Sequence, residues 1–205
     1  MRYNVDVEQG EVVLYTDGAC WGNPGPGGWA VLIRDEEGET LLSGREAWTT
    51  NNRMELKAVV EGLKALEAPS RVLVVSDSRY VVGGIGTRLD DEEDLLGVPN
   101  EDLWRELSRE ASRHLEVRAV WVRGHSGHPE NERVDREAEY QARLAKEELE
   151  AKQGGSLSLR GGMRPPTEKQ LRYLEALGYR GNPPQTLMEA SKLIDRLLRM
   201  RGRAS

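Results

Sequence analysis

Residues 12–33 read VVLYTDGACWGNPGPGGWAVLI. Val12–Tyr15 is a compact apolar run, which is typical of a buried strand. The stretch Asp17–Gly28 is rich in glycine and holds two prolines, so it predicts a loop. Trp29–Ile33 is apolar again and predicts a second strand. This part of the sequence therefore predicts two strands with a glycine-rich connection, and it places Asp17 directly after a buried strand.

The rest of the first 150 residues alternates between strand and helix patterns. Further elements are predicted in chain order: a strand near Thr40–Ala47, a helix capped by Asn51 or Asn52, a strand at Val72–Val75, a short helix from Ser78 to about Val82 stopped by Gly83-Gly84, a helix from Asn100 to about His114, a strand at Val117–Val122, and a long helix from about Asn131 to Ala151. Hairpins followed by strand–helix units predict an α/β fold, a mixed five-stranded sheet flanked by helices.

The last quarter of the chain has a different composition. A Gly/Ser-rich stretch predicts a flexible linker at residues 153–163, between a domain at 1–152 and a small all-helical module at 164–205. Thr167–Gln170 and Thr186–Glu189 both match the capping box, so they predict the starts of two helices. Residues 156–205 carry ten Lys or Arg against four Asp or Glu, a net charge of +6, whereas residues 1–155 carry −12.

The bulk composition excludes several classes of protein. The single Cys20 leaves no internal disulfide and no cysteine-based zinc site. No apolar stretch approaches the roughly 20 residues that span a bilayer, and residues 1–10 lack a signal-peptide pattern. We therefore expect a cytoplasmic protein with no membrane association and no disulfide partner.

Four carboxylates occupy positions that suggest a shared pocket. Asp17 and Asp77 each follow a predicted buried strand, while Glu55 and Asp135 lie in the opening turns of predicted helices. Taken singly, each has an ordinary structural explanation as a turn residue or a helix N-terminal acid. Gathered together, they would repel one another unless protons or a divalent cation neutralised them.

The residues around these carboxylates resemble a known family. Five ordered motifs carry the resemblance: YTDGAC at 15–20, GNPGPGG at 22–28, TTNNRMEL at 49–56, SDSRYV at 76–81, and WVRGHSGHPENE at 121–132 followed by Asp135. Over residues 11–145 the chain resembles type 1 ribonuclease H, whose fold is the mixed five-stranded sheet predicted above. The C-terminal module resembles no family clearly.

The resemblance implies an endoribonuclease that hydrolyses the RNA strand of RNA–DNA hybrids by a two-metal-ion mechanism. It implies two Mg²⁺ ions, with Mn²⁺ as an alternative, and products with 5′-phosphate and 3′-hydroxyl ends. The four carboxylates would be the metal ligands, with Asp17 shared between the ions. His125 would transfer protons, since imidazole titrates near neutral pH. The positions that contact the hybrid in this family correspond to Gly18, Cys20, Asn23, Asn51, Asn52 and Arg79.

Some of these positions leave alternatives open. Arg79 stands where glutamine is common in the family, and Arg53 could meet a phosphate or pair with an acidic side chain. Another polynucleotidyl transferase of the same fold is a second reading, against which the Glu55 motif and the His125 loop both argue. A catalytically silent hybrid-binding module is a third interpretation. Such a module would be expected to have lost one or more of the carboxylates, and all four remain.

The chain departs from some type 1 enzymes after the second helix. Those enzymes carry a basic protrusion there, whereas residues 83–102 of this chain hold the acidic run 90–94 and a single cation, Arg88. Phosphate contacts supply much of non-specific nucleic-acid affinity, so the basic C-terminal module is the candidate for that role. Protein docking or oligomerisation, and simple stabilisation, are its two alternatives.

Overall fold

A computed structural model describes residues 6–67, 69–89, 95–125 and 127–157, and at the C-terminus residues 167, 171–174, 177, 179, 184, 190–194 and 196–197. The elements are β1 (Glu11–Cys20), β2 (Gly25–Arg34), β3 (Glu39–Thr49), α1 (Asn51–Ala65), β4 (Arg71–Ser76), α2 (Arg79–Arg88), α3 (Glu101–Ala111), β5 (Glu116–Trp121) and α4 (Pro129–Leu157).

The five strands form one mixed sheet in the order β3-β2-β1-β4-β5. The first three strands are antiparallel neighbours, while β4 pairs parallel with β1, and β5 pairs parallel with β4. Parallel neighbours need a crossover, and the helices after β3 and β4 supply it. The predicted fold is therefore confirmed.

Alternating side chains of β1 divide the core between the two faces of the sheet. Leu14 packs in a cluster with residues of α1, α2 and α3, including the fully buried Trp104. Val13 and Tyr15 pack on the other face, in a cluster that includes Val134 of α4. Helix α4 thus covers the face of the sheet opposite α1.

The glycine-rich stretch after Tyr15 is mostly strand, so the long loop predicted there is wrong. β1 continues to Cys20, which pairs with Gly27 of β2, and only residues 21–24 connect the two strands. Glycine is needed in β2 because a Cβ at Gly28 would collide with the backbone of α4 at Ala138 and Ala142. The glycines therefore allow a close helix–sheet approach instead of forming a loop.

Helix boundaries differ from the predicted ones for local reasons. Thr50 is the N-cap of α1, so neither Asn51 nor Asn52 caps it. Helix α2 continues through Gly83 and Gly84 to Arg88. The N-cap of α3 is Asn100, as predicted, but the helix ends at Ala111. Helix α4 begins two residues earlier than predicted, because Pro129 fits the first position of a helix.

The chain divides into two compact units, Met1–Lys152 and Gln153–Ser205. Helix α4 reaches Leu157, so the first part of the predicted linker is helical. In the second unit, residues 171–174 are helical, and Leu174, Leu177 and Ala190 are buried. The rest of the linker, residues 168–170, the second capping box and the acidic run 90–94 lie outside the described residues. The predicted domain boundaries stay a prediction.

Within the described residues, no helix is long and apolar enough to cross a membrane. Cys20 is a free cysteine, and its thiol donates to the carbonyl oxygens of Gly25 and Thr49 at 3.5 Å each. The cytoplasmic location stays a prediction.

Gly84 offers a test of the packing of α2. A Cβ at this position would overlap the indole ring of the buried Trp104. We expect Gly84→Ala to lower the free energy of unfolding by about 1–3 kcal/mol, as overpacking does, which thermal unfolding would register as a melting temperature lower by roughly 2–4 °C per kcal/mol. The matched control is Gly86→Ala in the same helix, where a Cβ meets nothing within 4 Å and stability should rise by about 0.5–1 kcal/mol. Equal effects at the two positions would contradict this packing.

Candidate active site

The parallel pairing of β1 with β4 brings two of the predicted carboxylates to one edge of the sheet. Tyr15 lies opposite Val75 in the register, so two residues further along both chains stand Asp17 and Asp77. Because side chains alternate along a strand, Asp17 faces the same side as Tyr15, which is the side covered by α4. Helix α4 carries Asp135 in its second turn.

Asp17 is the most buried member of the group, with 8% of its surface exposed. Burial, the charge of Asp77 and the charge of Asp135 raise the pKa of Asp17 to about 8, against a smaller lowering by the Gly18 N–H, which donates to Asp17 Oδ1 at 2.8 Å. Burial also raises the pKa of Asp77, and Asp135 adds to that increase. Burial, together with the two neighbouring carboxylates, therefore favours the protonated form of Asp17 near neutral pH.

Glu55 approaches the same edge from α1. Gly18 makes this possible, because a Cβ there would collide with the backbone of Met54 and Glu55. Asn51 Nδ2 donates to Glu55 Oε1 at 2.8 Å, and the Ser78 hydroxyl donates to Glu55 Oε2. Burial raises the pKa of Glu55, and the charge of Asp77 raises it further.

Two polar residues beside the carboxylates were not predicted from the sequence. Ser78 is the N-cap of α2, accepting from Val81 N at 3.3 Å, while its hydroxyl holds Glu55. Asn131 is 2% exposed, and its side chain donates to Asp77, which lowers the pKa of that carboxyl. The signal for Ser78 was its place before a helix, whereas nothing in the sequence distinguished Asn131 beyond its place in the last motif.

His125 lies at the solvent side of the group. Its side chain is 79% exposed, and Nδ1 stands 3.4 Å from Asp135 Oδ2. The backbone of His125 has φ of 52°, an uncommon conformation for a residue other than glycine. The preceding Gly124 packs so closely against the Asp77 carboxylate that a Cβ would collide with it. The loop thus lies directly over Asp77 and brings an exposed imidazole beside Asp135.

The chemistry of this group fits a hard divalent cation, because all of its charged ligands are carboxylate oxygens. The raised pKa of Asp17 points the same way, since a cation would relieve the repulsion that protons relieve here. Among the described residues, however, no three His, Cys, Asp or Glu side chains already form a set that could hold an ion. The structure thus brings the carboxylates to one edge of the sheet without arranging three of the described ones as a ligand set.

The predicted substrate contacts form a surface beside the carboxylates. Asn23 Oδ1 accepts from Asn51 N at 3.3 Å, and the Cys20 thiol reaches the carbonyl of Thr49, so the turn after β1 is tied to the start of α1. Asn52 is exposed on the first turn of α1. The predicted contact positions on these two elements are thus neighbours.

The sequence left the roles of Arg79 and Arg53 open, and the structure gives the two side chains different surroundings. Arg79 is exposed, and its guanidinium lies 4.7 Å from the ring centroid of Trp121, whose Nε1 donates to the backbone carbonyl of Asp77 at 2.8 Å. Arg53 makes a bidentate pair with Asp102, at 2.8 and 2.7 Å. Arg79 therefore stands beside the carboxylates, whereas Arg53 is engaged with α3.

Comparison with known proteins agrees with the resemblance found in the motifs. Residues 9–143 match the RNase H family model. The chain is 54% identical over 139 residues to the ribonuclease H of Thermus thermophilus, covering 64% of this chain and 83% of that protein, and 51% identical over 137 residues to that of Dinoroseobacter shibae, covering 61% and 87%.

A solved structure shows the same fold. LC9-RNase H1, described as a type 1 RNase H with the type 2 active-site motif, superposes with a TM-score of 0.58 at 32% identity, covering 67% of this chain and 74% of that one. The family predicted from the motifs is confirmed: the chain belongs to the ribonuclease H family, with a type 1 domain over residues 9–143.

Proposed function

We propose that Asp17, Glu55, Asp77 and Asp135 bind two Mg²⁺ ions in this enzyme and that cleavage leaves 5′-phosphate and 3′-hydroxyl ends. The chain is a ribonuclease H, which cleaves the RNA strand of RNA–DNA hybrids, and its family implies dependence on a divalent metal. The observation that carries the proposal is the burial of Asp17 beside Asp77 and Asp135, which raises its pKa to about 8. Buried carboxylates that repel one another are unfavourable without a cation, so such a cluster is expected at a functional site that binds one.

The protein's own residues prepare this site. Bound divalent ions would shield the phosphate charge, activate a water molecule and stabilise the leaving oxygen. Ser78 and Asn51 fix Glu55 by hydrogen bonds, and Asn131 does the same for Asp77. His125 is exposed and within reach of Asp135, so we propose that it carries a proton between the reacting groups and solvent.

We propose that the surface beside the carboxylates, formed by the end of β1, the turn after it and the start of α1, recognises the hybrid. An enzyme that cuts only RNA has to sense the 2′-hydroxyl. The backbone at Gly18 and Cys20 and the amides of Asn23 and Asn52 offer donors and acceptors for it, while Asn51 also supports Glu55. Arg79, supported by the ring of Trp121, offers a charge to a phosphate.

Replacing one carboxylate tests the assignment. We expect Asp77→Asn to lower Mg²⁺-dependent cleavage of a hybrid by more than about 100-fold, since even losing an outer partner of a metal ligand costs roughly 10–100-fold, while hybrid binding stays largely unchanged. Cleavage assays on hybrid, duplex RNA and duplex DNA would measure it. The matched control is Asp35→Asn, in the exposed turn before β3. Normal cleavage by the Asp77 variant would show that the assignment is wrong.

The raised pKa of Asp17 predicts how metal-free stability depends on pH. Its folded pKa of about 8 lies above its ordinary value of 3.8, so between these values the unfolded chain releases a proton that the folded chain keeps, and stability falls as pH rises. Asparagine has no proton to release in this range, so Asp17→Asn removes this pH-dependent loss of stability. We expect the variant to match the parent near pH 4 and to exceed it at pH 8 by at least about 1 kcal/mol, or roughly 2–4 °C in melting temperature.

Thermal unfolding in a chelator, at both pH values, measures this difference. Adding Mg²⁺ at pH 8 should narrow it, because the ion stabilises the parent by binding the ionised carboxylates. A gap that does not change with pH would contradict the cause given for the pKa.

We also propose that the basic C-terminal unit adds affinity for the hybrid. Residues 1–155 carry a net charge of −12 and residues 156–205 carry +6, so the unit supplies the charge that a polyanion requires. Arg172, Lys192 and Arg196 are exposed there. Protein docking and simple stabilisation are the other roles that the same unit could have.

Charge neutralisation separates these roles. We expect the triple variant Arg172→Gln, Lys192→Gln and Arg196→Gln to bind hybrid more weakly at low salt. The slope of log affinity against log salt should fall by about 0.9 for each phosphate that is no longer neutralised. The matched control replaces three exposed arginines of the first unit, Arg45, Arg71 and Arg109, by glutamine. An unchanged slope, with folding intact, would exclude the nucleic-acid role.

A further inference from the structure

A groove next to the active site is lined mostly by residues that have no role in the function described so far. It lies between the turn at residues 21–24 and helix α4, with a volume of about 530 Å³. Trp21 lines one side, while Arg136, Tyr140 and Arg143 line the other. A space of this size is sufficient for a small organic group such as a nucleotide.

The α4 side of the groove is a stripe separate from the buried face of the helix. Positions 136, 140 and 143 follow the i, i+4, i+7 spacing that aligns side chains on one helical face, and all three residues are exposed. The buried stripe consists of other residues, among them Ala138 and Ala142. The core therefore does not require an aromatic residue or an arginine at these positions.

Each of the two aromatic rings that line the groove has a cation beside it. Trp21 is 52% exposed with Lys146 Nζ 4.4 Å from its ring centroid, and Tyr140 is 44% exposed with Arg143 Cζ 5.2 Å from its own. Exposed aromatic rings interleaved with cations are what proteins present to single-stranded nucleic acid, whose bases stack on the rings while the cations meet phosphates.

The ion pairs that these cations form with acidic neighbours are weak. Glu139 also lines the groove. Arg143 reaches Glu147 at 4.0 Å and Lys146 reaches Glu150 at 3.9 Å, both at the limit of an ion pair and both on exposed side chains. Such exposed pairs contribute only about 0–1 kcal/mol, so a phosphate can compete for the cations. In the described part of the chain, Arg136 has no ion-pair partner.

The position of the groove indicates which strand of the hybrid, RNA or DNA, it would contact. Ala19 and Cys20 of β1 also line the groove, and β1 carries Asp17 and the proposed RNA contacts at Gly18 and Cys20. The groove is thus continuous with the surface that we assign to the RNA strand.

We propose that this groove binds an unpaired nucleotide of the RNA strand where that strand leaves the hybrid, with its base stacked on Tyr140 and its phosphate beside Arg136 and Arg143. This inference rests on the proposed function of the adjacent site. A single-stranded nucleotide fits better than a duplex, because only an unstacked base offers its face to an aromatic side chain. The enzyme should accordingly favour hybrids whose RNA continues beyond the paired region.

Binding measurements on the whole chain carrying Asp77→Asn test this without cleavage. Fluorescence anisotropy would compare a blunt hybrid with hybrids of the same paired length that carry an RNA 5′ overhang, an RNA 3′ overhang or either DNA overhang. We expect one RNA overhang to tighten binding about fivefold or more, the lower end of what stacking one base is worth. The DNA overhangs should give less.

Variants in the groove test whether its side chains cause the tighter binding of the RNA overhang. Tyr140→Ala combined with Arg143→Gln should abolish the gain from the overhang while leaving affinity for the blunt hybrid unchanged. Tyr140→Phe, which keeps the ring, should retain the gain, and so should Arg109→Gln, an exposed arginine on α3. Thermal unfolding of each variant would verify that it is folded.

Different outcomes would contradict the role of the groove and the proposed function of the active site. Equal binding of blunt and RNA-overhang hybrids, a gain that survives Tyr140→Ala with Arg143→Gln, or a gain confined to DNA overhangs would each overturn the role of the groove. A parent chain that failed to cleave the blunt hybrid with Mg²⁺ would instead overturn the proposed function. Cleavage of the blunt hybrid without any overhang effect would refute the groove alone.

Discussion

The parallel pairing of β1 with β4 is the constraint on which the rest of the site depends. It brings the backbones of Asp17 and Asp77 to the same edge of the sheet, because each stands two residues beyond the paired Tyr15 and Val75. The apolar clusters on both faces fix that register, because a slip of one residue would move every side chain of β1 to the opposite face of the sheet and disrupt both clusters. Core packing thereby stabilises an arrangement that electrostatics alone would oppose.

Close backbone approach completes the site around this pair. Gly18 allows the start of α1 to cross β1, which brings Glu55 to the carboxylates, and Gly124 allows the His125 loop to lie on Asp77. A Cβ at Gly18 would collide with the backbone of α1, and a Cβ at Gly124 would displace the Asp77 carboxylate. Hydrogen bonds from Ser78 and Asn131 then fix the orientation of individual carboxylates. The active site is therefore a consequence of tight packing between elements as much as of its charged residues.

The sequence predicted the order of elements and the family well, because apolar runs and five motifs mark them locally. It predicted element ends poorly. Whether β1 stops at Tyr15 or continues to Cys20 depends on pairing with β2, and whether α2 stops at Gly84 depends on the space beside Trp104. The same limit applies to the site: the carboxylates lie in motifs, whereas the contacts of Asn131 and the groove at Trp21 arise only when distant segments meet.

Charge distribution links the active site to its surroundings. Arg53 lies within the helix that carries Glu55, yet its guanidinium is held by Asp102, where it joins α1 to α3 and gives up its availability to a phosphate. Two other cations near the site are supported by rings instead: Arg79 by Trp121 and Arg143 by Tyr140. An arginine stacked on an aromatic ring keeps its full charge and its hydrogen-bond donors, and it loses less conformational freedom on meeting a phosphate. In a catalytic region of net charge −12, a preorganised cation such as Arg79 would contribute more to holding the hybrid than the overall charge suggests, whereas Arg143 would serve only the unpaired nucleotide that we propose for the groove.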